Sequence, residues 1–133
     1  FDKSIIKSIE TGNDENIAHI SLNISMYYLR KNNFEKAIPL FRMAEKRKQF
    51  IILDYWLGVY YGIEALIQQH QGDLTKAEES ISKSMKSFET VNNYQMLIEF
   101  NSIAADIYSA LNKFDRAYYY QSRVVKSLLQ SAP

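Results

Sequence analysis

The side chains best suited to chemistry are few and scattered. His19 and His70 stand 51 positions apart, not the three or four by which paired histidines hold a metal on one helical face. There is no cysteine, so disulfides and thiolate metal sites are excluded, and either a reducing or an oxidising compartment is compatible. No Gly-rich phosphate loop and no nucleophile-elbow motif occurs. The adjacent carboxylates Asp14-Glu15 and Glu78-Glu79 are read as acidic residues at exposed helix starts, where the helix dipole favours them. The sequence therefore predicts a non-enzymatic chain without metal or cofactor.

Charge narrows the class further. The chain carries 16 Lys and Arg against 15 Asp and Glu. That near-balance argues against nucleic-acid binding through bulk charge, which needs a basic face. The one basic cluster is Lys36, Arg42, Lys46, Arg47 and Lys48. Glu35 and Glu45 interrupt it, and it is read as the solvated side and last turn of a helix rather than an anion site. The most apolar run, 51–67, invites a membrane reading. Asp54 and Glu64 lie inside it, however, and the run falls short of the about 20 apolar residues that a span needs. A helix packed on both sides is the better account, and no membrane insertion is expected.

The elements that would position these residues follow from a repeat. The segment 32–44 (NNFEKAIPLFRMA) returns, weakened, at 72–84 (GDLTKAEESISKS) and at 112–124 (NKFDRAYYYQSRV). Its anchoring alanines, Ala37, Ala77 and Ala117, are 40 residues apart. A fixed period in this range points to a stacked array. Each copy opens on a turn pair: Asn32-Asn33, Gly72-Asp73 or Asn112-Lys113. Asn and Gly tolerate the left-handed conformation that closes one helix, and Asn or Asp caps the next. Upstream, Ser25, Ala65 and Ala105 are small residues in register, facing the alanines of the following helix. The spacing predicts helices over 14–31, 34–48, 74–90, 94–111 and 114–130, with another that Asp54 caps and that ends near His70. Pro39, inside the second of these, removes a donor near the helix start and should bend it rather than break it. The ten tyrosines among 133 residues suit half-buried positions on stacked helices.

Small residue, aromatic three on, Asn/Gly turn, aromatic, then Ala and Phe: this order resembles the tetratricopeptide repeat. The resemblance implies an all-α, right-handed α-α solenoid of three helix pairs. The divisions are 14–48, 52–90 and 92–130, and residues 1–11 form the end of a preceding helix. Such a half-helix suggests a piece of a longer array; a natural capping helix is the rival reading. The period is longer than usual for the family, and the position where the family has an early Trp holds Ser21, Tyr61 and Asn101. Repeats this long resemble those of bacterial regulators and sensors.

The family's concave groove transfers by register to His19, Asn23, Met26 and Arg30 in the first repeat. In the second it transfers to Val59, Ile63, Leu66 and His70, and in the third to Glu99, Ile103, Asp106 and Ala110. The implied site is apolar in the middle and oppositely charged at its ends, suiting an extended peptide or short helix. Ile63, Leu66 and Ile103 have packing between helices as an equal alternative. The clamp that grips a terminal carboxylate in chaperone-binding members is absent, since its places hold Leu22, Gly62 and Ser102. The expectation is a protein- or peptide-binding module, the regulatory or sensory part of a larger bacterial transcription regulator or sensor kinase. It would be cytoplasmic, or alternatively an extracytoplasmic sensor. A peptide receptor that switches curvature and a self-associating scaffold or homodimer remain open.

Overall fold

The computed structural model describes Lys3, Ile6, Lys7 and residues 12–132. The helices in order are α1 (Asp14–Arg30), α2 (Phe34–Glu45), α3 (Asp54–His70), α4 (Leu74–Phe88), α5 (Tyr94–Ala110) and α6 (Phe114–Ser131). A 3-10 turn at Lys48–Phe50 lies between α2 and α3. No strand occurs among the described residues. The first helices of the pairs start at 14, 54 and 94, the second at 34, 74 and 114. Each helix packs most closely on its pair-mate, and the pairs stack through α1 on α3, α2 on α3, α4 on α5 and α3 on α5. This is a tetratricopeptide-like α-α solenoid. The proposed half-helix at the N-terminus lies outside the described residues, apart from Lys3, Ile6 and Lys7, which are helical.

The turns explain the period. Asn32, Gly72 and Asn112 have φ of 57°, 82° and 59°, the left-handed region that closes a helix. The next amide then bonds back to the carbonyl five residues earlier: Asn33 to Tyr28, Asp73 to Gln68, Lys113 to Tyr108, at 2.8–2.9 Å. Asn33 and Asp73 cap the helices that follow, accepting from the amides of Lys36 and Lys76 at 3.2 and 3.1 Å. Asn13 and Asn93 do the same for the amides of Asn16 and Met96. Lys113 has no acceptor, and α6 starts without a side-chain cap.

Small residues meet where the helices cross. The Ser25 hydroxyl donates to the Ala37 carbonyl at 3.0 Å, which only two small side chains permit. Ala65 and Ala77 are fully buried at the equivalent crossing. Phe88 lies on Gly58, where a Cβ would sit 2.7 Å from its ring; a Cβ on Gly62 would fall within the Phe100 ring. Phe88 and Phe100 are buried and touch, with centroids 5.1 Å apart. Each such ring contributes roughly 2–3 kcal/mol by burial.

Three local expectations are corrected. The second helix ends at Glu45 rather than 48. Arg47 turns back there, donating to the Met43 carbonyl at 2.9 Å and to Asp14 at 3.2 Å, which pins the chain off the helical path. Asp54 is not the cap of α3. Leu53 holds that place in extended conformation, and Asp54 is the first helical residue, its carboxylate accepting from Thr90. Glu78 and Glu79 lie beyond the first turn of α4, and Glu78 pairs instead with Lys113 at 2.7 Å. The helix runs through Pro39 unbroken. No helix among the described residues is long and apolar enough to cross a membrane; the apolar run is largely α3, its Val59, Ile63 and Ile67 buried by neighbours.

Candidate partner-binding face

The expected groove residues divide into three sets. Met26, Val59 and Ile63 are 4%, 2% and 0% exposed. They belong to the buried core. His19, Leu66, Glu99 and Ile103 are half-buried, Leu66 and Ile103 against that core. Asn23, Arg30, His70, Asp106 and Ala110 are exposed.

Helical spacing shows why the sets separate. Positions 23, 27 and 30 form one stripe on α1, and 99, 103 and 106 form another on α5. Met26 is one residue off its stripe and points inward. Tyr27, not expected from the sequence, takes the outward place; it packs edge-on to Tyr28 and has Lys31 Nζ 4.9 Å over its ring.

The two histidines expected in the groove are held by rings. His19 stacks on Trp56 at 4.4 Å and 8°, tying α1 to α3. Its Nε2 is buried without a partner among the described residues. Burial lowers its pKa below 6.5, and Glu15 opposes this more weakly. His70 stacks on Phe34 at 3.7 Å, tying the end of α3 to the start of α2.

The charged ends are joined. Arg30 donates through Nε and Nη2 to the two oxygens of Glu99 at 2.9 and 2.8 Å. This two-pronged bond reaches from the first pair to the third. It keeps the Arg30 guanidinium charged more firmly than usual. Tyr55 of α3 is close enough to feel both charges, and its phenol is pushed up chiefly by burial, with Glu99 raising and Arg30 lowering it. The two ends thus form one clasp. Sequence spacing held no signal for a contact between residues 69 positions apart.

The basic cluster is dispersed. Arg42 pairs with Glu45, Arg47 with Asp14, and Lys36 and Lys48 lie over Tyr28 and over Tyr60 and Tyr61. Among the described residues no group of three or more His, Asp or Glu gathers as for a metal ion.

These repeats have a counterpart among known proteins. Over 116 residues the chain is 27% identical to interferon-induced protein with tetratricopeptide repeats 2 of Mus musculus, the match covering 80% of this chain. The chain is similar to a tetratricopeptide-repeat protein. It spans a quarter of the mouse protein's length, 25%. No protein-family model matches the chain, and no solved structure does.

Proposed function

We propose that the chain is a non-enzymatic, tetratricopeptide-type module that binds a protein segment along the exposed stripes of α1 and α5 and the half-buried Leu66 of α3. The observation that carries this is the Arg30–Glu99 clasp with its surroundings. Asn23, Tyr27 and Asp106 are exposed around it, and Leu66 and Ile103 offer partly open apolar surface. Polar positions flanking apolar ones suit an extended peptide or short amphipathic helix. A random peptide library displayed on phage, selected against the chain, supplies the probe. Selected peptides should bind Asn23→Ala and Asp106→Ala at least tenfold more weakly, with melting temperatures unchanged. Equal binding to these variants would move the site elsewhere.

The setting is proposed from repeat length and composition. Long repeats in a Lys-, Asn-, Ile- and Tyr-rich chain support a cytoplasmic input module of a larger bacterial regulator or sensor kinase, acting in signalling or transcription regulation. The reading frame around the chain tests this. A helix-turn-helix or kinase segment favours a regulatory input, whereas repeats alone favour a scaffold. Self-association is a second reading, favoured by Tyr118 and Leu129 of α6, 76% and 73% exposed. A mass by light scattering that stays monomeric at every concentration removes it.

A further inference from the structure

Residue 101 belongs to a set that recurs down the chain: Ser21, Tyr61 and Asn101, one in each first-of-pair helix. In the middle repeat the side chain fills its slot. The Tyr61 ring has Lys48 Nζ 5.1 Å and Lys83 Nζ 5.4 Å from its centroid. One period on, those two lysines become Phe88 and Arg123. Both line a cavity of about 70 Å³ with Leu97, Asn101, Tyr119 and Tyr120. It is the same slot, between the preceding pair and the following helix, and Asn101 is too short to fill it. A second groove of about 160 Å³, sharing Phe88, Leu97 and Arg123 and bordered by Lys126, adjoins it.

The floor of the slot is chemically incomplete. Asn101 is 1% exposed. Its Nδ2 donates to the Leu97 carbonyl at 2.7 Å, which fixes the amide's orientation. Its Oδ1 is buried and has no partner among the described residues. A buried acceptor without a donor is unfavourable, so a ligand that supplies one gains more than shape alone.

We propose that this slot is an anchor pocket for a tyrosine side chain of a protein partner. The ring lies along the adjoining groove of about 160 Å³, and only its hydroxyl end enters the cavity of about 70 Å³, donating to Asn101 Oδ1. Tyr119, 54% exposed, offers an aromatic surface for the ring. Arg123 lies beside it, over the Tyr119 ring, and donates to the Tyr119 hydroxyl at 3.3 Å. A phenylalanine would fit the walls but leave Oδ1 unmatched, so the pocket selects for the hydroxyl. Asn101 lies two residues from both Glu99 and Ile103, about 200° around α5. The pocket therefore faces away from the clasp and does not depend on it.

The test titrates N-acetyltyrosinamide and N-acetylphenylalaninamide into the chain. In wild type and variants alike, NMR follows the backbone amides of Phe88, Leu97 and Arg123, which line the slot. Saturable, localised shifts at millimolar concentration are expected for the tyrosine probe, with the phenylalanine probe about fivefold weaker. Asn101→Tyr should close the slot, abolish both responses and raise the melting temperature. Asn101→Ala should keep the slot and erase the preference between the probes, which decides the matter should the larger substitution not fold. The proposal fails if the tyrosine probe gives no localised shift, if wild type binds both probes equally, or if the preference survives in Asn101→Ala.

Discussion

Arg30 and Glu99 hold each other by two parallel hydrogen bonds of 2.9 and 2.8 Å, over the top of the repeat that separates them. Most contacts in a stacked array join neighbours. This one joins the first pair to the third.

The clasp should be measurable and modest. Its side chains are 47% and 27% exposed, so solvent screens the attraction. A double-mutant cycle of Arg30→Ala and Glu99→Ala in urea should give a coupling of about 0.5–1 kcal/mol that shrinks in high salt. Strictly additive effects would mean that the pair contributes nothing to folding.

Gly62→Ala should be costly, because the added methyl meets the Phe100 ring. Overpacking of this kind typically costs about 1–3 kcal/mol. Phe100→Leu introduced with it should recover part of the loss by making room, as read from thermal unfolding. A neutral Gly62→Ala would show that the α3–α5 seam yields easily.

His19 should make stability depend on pH. Burial lowers its folded pKa below the unfolded value of 6.5. Its contribution is therefore complete above that value and is lost as pH falls through the folded pKa. Melting temperature should fall more steeply between pH 7 and 5 for the native chain than for His19→Phe, which keeps a ring against Trp56. Parallel profiles would show that the imidazole does not titrate against the fold.

Lys113→Asn should stabilise the chain. It restores the cap that Asn33 and Asp73 provide at the equivalent turns, a gain of about 1 kcal/mol. The exposed pair with Glu78 is lost, at up to about 0.5 kcal/mol. The net expectation is a small rise in urea midpoint, and a fall would place the ion pair above the cap.

The contrast between the turns shows what could be read from the chain alone. Asn32, Gly72 and Asn112 tolerate the left-handed conformation that closes a helix, so the turn inside each pair was legible. So were the crossings, because Ser25 against Ala37 leaves no room for larger side chains. The end of α2 was not, since it depends on Arg47 reaching Asp14, 33 positions away. Which of the residues assigned to the groove are exposed was not legible. Register transferred Met26 and Val59 along with Asn23, and only the local rotation of each helix decides which of them faces the core. At Asn101 the sequence showed only a departure from the family's aromatic. The slot itself depends on Phe88 and Arg123, which packing brings beside it.

Mechanically, an array of stacked pairs is a spring whose pitch is set by small rotations between neighbours. The bond from Arg30 to Glu99 is a stay fastened across one coil. Stretching the spring must break an exposed charge pair before it disturbs any apolar seam, and that pair weakens as salt shortens the reach of its field. The stiffness of the coil is then set partly by the surrounding solution, while its shape at rest is set by the rings and glycines inside.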